Sequence, residues 1–161
     1  SYTIYTNLHT NTAYSSLAAQ VTKIFPITLN TFIIPTIYGR FIFNDGIPFM
    51  YSNVIGGEGY NPHYEQQIPF SGLTHTESTL KLLGNAQIQV RHKFHEKQYL
   101  TLSGNYAIHQ NQFSNFLQGK KIYGTSIGYG YDSPLGPIEG FICYSNRTNK
   151  LGFYLNIGFG F

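Results

Sequence analysis

The sequence predicts an all-β protein, an antiparallel transmembrane β-barrel of the outer-membrane type. Long segments alternate apolar residues with polar or small ones, helical periodicity is almost absent, and Gly or Asn/Asp clusters recur at short intervals. Of the 161 residues, 17% are aromatic and only 11% are charged, whereas soluble domains carry roughly 25% charged residues. Barrels of this type turn alternate apolar residues to lipid and place aromatic girdles at both interfaces.

The clearest strand runs from Leu82 to Phe94 and divides into two sets of alternating residues. The set expected to face outward is Leu82, Gly84, Ala86, Ile88, Val90, His92 and Phe94, and the set expected to face the lumen is Leu83, Asn85, Gln87, Gln89, Arg91 and Lys93. The strand exceeds the roughly 5–6 residues of a typical soluble strand and suits a tilted membrane crossing.

A polar turn at 95–98 leads into the strand Tyr99–His109, with Leu100, Leu102, Gly104, Tyr106 and Ile108 on one face, so the two strands form a hairpin. The other predicted strands are Tyr2–Leu8, Tyr14–Phe25, Asn30–Phe43, Pro48–Ile55, Ile122–Tyr131, Ile138–Asn146 and Leu151–Phe161. Short turns, including Asp45-Gly46, alternate with the long loops Val54–Thr79 and Gln110–Lys121, as in outer-membrane barrels. We therefore expect one barrel domain over residues 1–161 with eight to nine strands.

Several classes of protein do not fit the composition. The formal net charge of +3 is small and scattered, so nucleic acid is not an expected partner. No window approaches the roughly 18–20 apolar residues of a transmembrane helix, and no signal peptide stands at Ser1. Cys143 is the single cysteine and has no partner for an internal disulfide.

Three motifs resemble catalytic or binding sites of other proteins, but each has weak support in this sequence. We therefore predict no catalytic residue, metal site or cofactor. Gly124-Thr-Ser-Ile-Gly128 spells the nucleophile elbow of lipases, but that chemistry needs a helix after Ser126, and the sequence continues as a strand into a turn. His92 and His95 stand three apart on a strand and point to opposite faces, so they do not converge on a metal. Gly56-Gly-Glu-Gly59 precedes no helix and is interpreted as a flexible bend.

Four charged residues are candidates for the lumen: Arg91, Lys93, Asp132 and Glu139. Arg91 and Lys93 share the lumen set with two glutamines and could pair with Glu139 or Asp132 across the barrel. The interpretation favoured by the sequence is plain solvated lumen charge.

The segment Asp132-Ser-Pro-Leu-Gly-Pro137 predicts a rigid, tight turn, because its prolines stand where no ladder donor is needed. Followed by two strands, the last ending in phenylalanine, it resembles the barrel end of the outer-membrane assembly and two-partner-secretion superfamily, the bacterial surface antigen family. The resemblance covers roughly residues 30 to 161. It implies a barrel of about 16 strands, of which this chain is the C-terminal half, and a function in anchoring or translocating protein.

The same resemblance extends to a loop that folds into the barrel in that family. Ile55-Gly56-Gly57 and Ile68-Pro69-Phe70-Ser71-Gly72-Leu73 look like its double glycine and its inward tip, so the candidates for the inward loop are Gly56, Gly57, Pro69, Phe70, Ser71 and Gly72. Many members carry an Arg-Gly-aromatic tip whose arginine reaches an acidic residue of the wall. Here the slot reads Ser71-Gly72-Leu73, which resembles more closely the branch whose barrel follows a patatin-like lipase domain.

The closing strand resembles the signal by which the outer-membrane assembly machinery takes up its clients, with Tyr154, Gly158, Phe159 and Phe161 as its candidate residues. The implied location is the bacterial outer membrane. The implied partners are membrane lipid, the assembly machinery, and the remaining barrel strands or another chain. We expect Phe161 to be a true terminus and Ser1 to follow a cut.

Two other architectures remain open at this point. A self-contained eight-stranded barrel with a structural, adhesive or small-molecule transport role fits the length, but its interior has room only for side chains, so the loop Val54–Thr79 would have to lie outside. A soluble β-sandwich predicts that Ala86, Ile88, Val90, Leu100 and Leu102 pack in a dry core.

Overall fold

The computed structural model describes residues 2–7, 12–43, 51–57, 67–73, 76–134 and 136–158. Its strands in chain order are β1 (Tyr2–Asn7), β2 (Thr12–Thr22), β3 (Phe25–Thr28), β4 (Thr31–Ile42), β5 (Val54–Ile55), β6 (Gln67–Ile68), β7 (Glu77–Ser78), β8 (Leu82–His95), β9 (Gln98–Gln110), β10 (Lys120–Ser133), β11 (Gly136–Ser145) and β12 (Lys150–Ile157). A 3₁₀ segment, Phe113–Gln118, lies between β9 and β10. Among the described residues, no helix is long and apolar enough to cross a membrane.

The wall of the molecule is one antiparallel sheet in the order β1-β2-β4-β8-β9-β10-β11-β12, with β3 paired to β4. Each neighbouring pair is antiparallel. The hairpin β8–β9 matches the one predicted, and β10 and β11 pair across the predicted turn at 132–137. The all-β barrel-type prediction is thereby confirmed, and the strands extend one or two residues beyond several predicted ends.

The two faces of the wall differ in what covers them. In β10 the residues from Ile122 to Gly130 alternate strictly, the even-numbered ones buried and the odd-numbered ones exposed. The buried face is called the inner face and the exposed one the outer face. Ile88 and Leu102 belong to the outer face and are about half exposed, so they form no dry core and the sandwich interpretation is wrong.

The predicted strand Tyr14–Phe25 is divided in two. β2 pairs with β4 as far as Thr22, and β3 resumes at Phe25 opposite Ile33. Pro35 of β4 has no N–H to donate at this point, and the Lys23 N–H donates to the Pro35 carbonyl at 3.2 Å. The ladder therefore breaks at the proline and restarts beyond it.

The described residues of the predicted strand Pro48–Ile55 do not belong to the wall; its residues 48–50 and the predicted turn Asp45-Gly46 lie outside the described part. Val54 and Ile55 form β5, the centre of a separate small sheet in the order β6-β5-β7. Both residues are fully buried, whereas a wall strand buries alternate residues. The prediction failed because a run of two apolar residues carries no period that separates a wall strand from an internal one.

The main sheet has two edges. Within the described residues β1 pairs only with β2, and β12 pairs only with β11. A closed eight-stranded barrel would pair β1 with β12, so the self-contained small barrel does not match this structure. Among the described residues the sheet is therefore open at both edges.

Candidate functional site: the inner loop and its seat

The chain between β4 and β8 folds back onto the inner face of the wall. Its described residues, 51–57, 67–73 and 76–80, are called the inner loop. Three of its buried apolar side chains join four from the wall in one cluster, which contains Ile55, Phe70, Leu73, Tyr38, Leu83, Ala107 and Ile122. Burial of each large apolar side chain is worth about 1.5–3 kcal/mol, so the hydrophobic effect holds the loop against the wall.

Gly56 and Gly57 form the turn at the end of β5, and both have positive φ, 113° and 74°. The Gly56 N–H donates to the Ile68 carbonyl at 3.0 Å, and the Gly57 N–H donates to the Leu73 carbonyl at 2.7 Å. Gln67 donates through Nε2 to the Gly56 carbonyl at 2.8 Å. Gly56 and Gly57 are thus hydrogen-bonded to the other segments of the inner loop, while Glu58 and Gly59 of the predicted flexible bend lie outside the described residues.

The tip of the inner loop, Pro69–Gly72, lies over β9 and β10. Ser71 Oγ is 3.3 Å from Ser103 Oγ and 3.2 Å from Ser126 Oγ, and the two wall hydroxyls are 2.6 Å apart. Asn105 accepts the Ser71 N–H through Oδ1 at 2.9 Å. The tip is thus held by neutral hydroxyl and amide groups.

Two glycines allow the tip to approach the wall backbone. A Cβ atom on Gly124 of β10 would overlap the Ser71 carbonyl oxygen. A Cβ atom on Gly72 would overlap the Tyr144 carbonyl of β11, and Gly72 also has a positive φ of 82°. Because both contacts are made by rigid backbone, no side chain at either position fits while the tip is seated.

Polar side chains of the wall and of the turn between β11 and β12 also bind the inner loop on both sides of its tip. Arg147 donates through Nε to Glu77 Oε2 at 3.0 Å, and Thr148 Oγ1 donates to the Gly72 carbonyl at 3.3 Å. On the other side the buried Arg40 donates to the carbonyls of Tyr51 and Ser52 at 3.3 and 3.2 Å. The Arg147 pair is exposed, and such pairs contribute about 0–1 kcal/mol.

Two buried asparagines of the inner face are expected to respond oppositely to replacement by leucine. Asn105→Leu should lower the free energy of unfolding by about 1–3 kcal/mol, because it leaves the buried Ser71 N–H without its acceptor. Asn85→Leu should leave this free energy unchanged or raise it, since neither amide atom of Asn85 has a hydrogen-bond partner among the described residues. Urea titration in lipid vesicles measures both, and an equal loss in the two variants would contradict the assignment.

A second polar cluster lies on the inner face below the tip. Glu139 is completely buried, and Arg91 is 30% exposed; Arg91 Nη2 lies 3.6 Å from Glu139 Oε1. Tyr99 donates its hydroxyl to the same oxygen at 2.6 Å, and the guanidinium carbon of Arg91 is 4.7 Å from the centre of the Tyr99 ring. Arg91 Nε also donates to Thr101 Oγ1 at 3.3 Å. This cluster joins β8, β9 and β11.

The favoured sequence interpretation, plain solvated lumen charge, is wrong for Arg91 and Glu139. A buried carboxylate needs a partner because an isolated charge is costly to desolvate, and the Arg91 guanidinium lies within reach of Glu139. Lys93 and Asp132 are exposed, and the solvated interpretation stays a prediction for them.

The outer face carries aromatic residues near both ends of its strands. Tyr106 and Tyr123 are directly paired across β9 and β10. Toward the other end, the rings of Phe94 and Tyr129 lie 6.2 Å apart, and Tyr131 follows. From Tyr123 to Tyr131 the strand covers about 26 Å at roughly 3.3 Å per residue, or about 20 Å along the membrane normal at a tilt of roughly 40°. That height is close to the apolar band of outer-membrane barrels, roughly 25 Å.

The closing strand β12 continues the apolar outer face. Leu151, Phe153, Leu155 and Ile157 are all more than half exposed. Tyr154 and Gly158 alternate with them, and Gly158 donates its N–H to the Pro137 carbonyl at 2.9 Å. Phe159 and Phe161 lie outside the described residues, so the assembly signal stays a prediction.

The lipase-like motif is part of the wall. Ser126 sits in mid-strand and β10 continues to Ser133 without a helix, so the local geometry of a nucleophile elbow is absent at Ser126. His92 contacts Thr31, with Nδ1 2.8 Å from Oγ1, while His95 ends β8 at the turn.

Comparison with known proteins gives one family match. The family model described as the OMP85 superfamily matches residues 2–161. The chain belongs to the OMP85 superfamily. No curated protein and no solved structure matches significantly.

Membership agrees with the all-β architecture of the wall. It also agrees with the resemblance noted above, because the OMP85 superfamily and the bacterial surface antigen family are the same group of barrels. OMP85 superfamily proteins are outer-membrane β-barrels involved in protein translocation or assembly, and their barrels are generally non-enzymatic. They work with outer-membrane assembly and secretion partners in general.

Proposed function

We propose that this OMP85 superfamily chain forms the C-terminal half of an outer-membrane barrel and translocates protein, with the inner loop as the element that must shift. The observation that carries the proposal is the seat of Ser71 and Gly72 on the inner face of β9, β10 and β11. A loop in this position occupies the path along the lumen. Its tip is held by neutral hydrogen bonds, each worth about 0.5–1.5 kcal/mol net.

A reversible covalent lock tests this proposal. Ser71→Cys with Ser103→Cys places two thiols where the hydroxyl oxygens are 3.3 Å apart. Cys143 lies opposite Ser126 in the register of β10 and β11, so every variant also carries Cys143→Ser to prevent a wrong pairing. The matched control is Ser71→Cys in the same Cys143→Ser background.

We expect oxidation of the double variant to reduce export strongly and reduction to restore it, while the control exports equally in both conditions. Export is measured by quantitative proteomics of proteins shaved from whole cells, which does not require the substrate to be known in advance. Unchanged export from the fully oxidised double variant would contradict translocation by loop displacement.

The neutral tip favours a second candidate, a barrel that anchors an attached patatin-like lipase domain. Where related tips carry an arginine paired with an acidic wall residue, this chain has Ser71 against Asn105. An anchor needs no loop movement, so the oxidised lock should leave surface display of an attached domain unchanged. In that case the whole-cell lipase activity of the parent protein should persist under both redox conditions.

A further inference from the structure

The outer face of the wall contains a recess of about 470 Å³ that extends from β8 to β12. Its sides are formed by branched apolar residues, which include Ile88, Val90, Leu102, Ile127 and Ile142. Its floor is low because Gly104 and Thr125, which are paired across β9 and β10, have small side chains.

We propose that this recess binds one acyl chain of a phospholipid from the surrounding bilayer. The apolar residues that form its sides belong to the outer face, and Ile88, Leu102, Ile127 and Ile142 are each about half exposed. Such a face contacts the hydrocarbon region of the membrane, where no water is available to fill a hollow. Hydrocarbon from a lipid chain is the filling that matches an almost wholly apolar lining.

The position of the recess relative to the aromatic girdle supports a lipid chain rather than a headgroup. Thr125 stands two residues beyond Tyr123, which is about 7 Å along the strand. The tyrosines Tyr106 and Tyr123 have amphipathic rings of the kind that lie at the membrane–water interface. A lipid whose headgroup lies at these hydroxyls would place the upper part of its chain over Gly104 and Thr125.

Gly104 provides a way to fill the recess without disturbing the wall. A Cβ atom there would lie 3.8 Å from Ile88 Cγ2, an ordinary contact, so a larger side chain fits. Gly39 of β4 is also on the outer face, and its Cβ atom would lie 3.9 Å from the Leu83 carbonyl oxygen. Gly39 is not part of the recess, so Gly39→Leu is a matched control for Gly104→Leu.

The test uses the full chain reconstituted in phosphatidylethanolamine vesicles that contain a lipid with a diazirine in one acyl chain. After illumination, mass spectrometry counts crosslinks at each outer-face residue. We expect a severalfold enrichment at Leu102, Gly104, Thr125 and Ile127 over Ala86 and Ile37, which lie on the outer face outside the recess. Gly104→Leu should abolish the enrichment and Gly39→Leu should retain it.

Two outcomes would overturn the proposal. Even labelling along the outer face would mean that lipid contacts the recess no more closely than the rest of the wall. Crosslinks between two copies of the chain at Gly104 would mean that the recess is a protein interface. Folding of each variant is checked by its heat-modifiable migration in electrophoresis, and Thr125→Leu, at an exposed position, replaces Gly104→Leu if that variant does not fold.

Discussion

Replacing Gly124 by valine is expected to detach the tip of the inner loop and to lower the free energy of unfolding by at least about 3 kcal/mol. Its new Cβ would overlap the carbonyl oxygen of Ser71, and neither backbone can yield without moving the tip. Overpacking alone costs about 1–3 kcal/mol. Displacement also uncovers Phe70 and Leu73, each 1% exposed in the seated loop, and each such side chain is worth about 1.5–3 kcal/mol.

Urea titration in lipid vesicles measures the free energy of unfolding, and limited proteolysis of the folded protein reports the position of the loop. Gly39→Val is the matched control. It makes the same change at an outer-face position of β4, where a Cβ atom has ordinary contacts. We expect the control to be neutral or slightly stabilising, since glycine is unfavourable in a strand interior. A Gly124→Val protein as stable and as protease-resistant as the control would contradict the described contact between the tip of the inner loop and β10.

Replacing Arg91 by leucine is expected to lower the free energy of unfolding by about 3 kcal/mol, the second large effect. The substitution leaves the Glu139 carboxylate buried with its Tyr99 hydrogen bond but without the guanidinium. Removal of one partner from a buried ion pair costs about 3–5 kcal/mol, and the lower end applies because Arg91 is 30% exposed.

A double-mutant cycle separates the pair from simple loss of packing. Arg91→Leu with Glu139→Leu should recover most of the loss, because no buried charge is then left without a partner. Lys93→Leu is the control on the same strand, where the side chain is exposed and the effect should stay within about 0.5 kcal/mol. Additive losses in the double variant, measured by urea titration, would show that Arg91 and Glu139 do not interact.

The wall was predictable because the alternation of side chains continues along long strands. β8 and β10 are each 14 residues long, and β10 alternates strictly from Ile122 to Gly130. A one-residue slip would move every apolar side chain to the wrong face. The predicted inward-loop residues came from the resemblance. The structure places Phe70, Ser71 and Gly72 against the inner face and ties Gly56 and Gly57 into the small sheet, while their functional role stays a proposal.

The contacts that seat the loop were not predictable from the pattern. Ser103, Asn105 and Ser126 are ordinary polar residues in alternation, and only the fold brings them to Ser71. The sequence carried a weak signal for a close approach at Gly124, because glycine recurs on the same face of β10 at Gly128. The sequence left the pairing of Arg91 with Glu139 open as one alternative, because the pairing depends on how closely side chains of β8 and β11 approach across β9 and β10.

The most direct test of the account is the density of the full chain in a lipid nanodisc, at a resolution that allows strands to be counted. We predict that β1, β2, β4 and β8 to β12 form one continuous arc of a barrel with more than eight strands. Residues 67–73 should lie inside it, against β9, β10 and β11. A closed eight-stranded barrel with β1 paired to β12, and the inner loop outside it, would contradict the account.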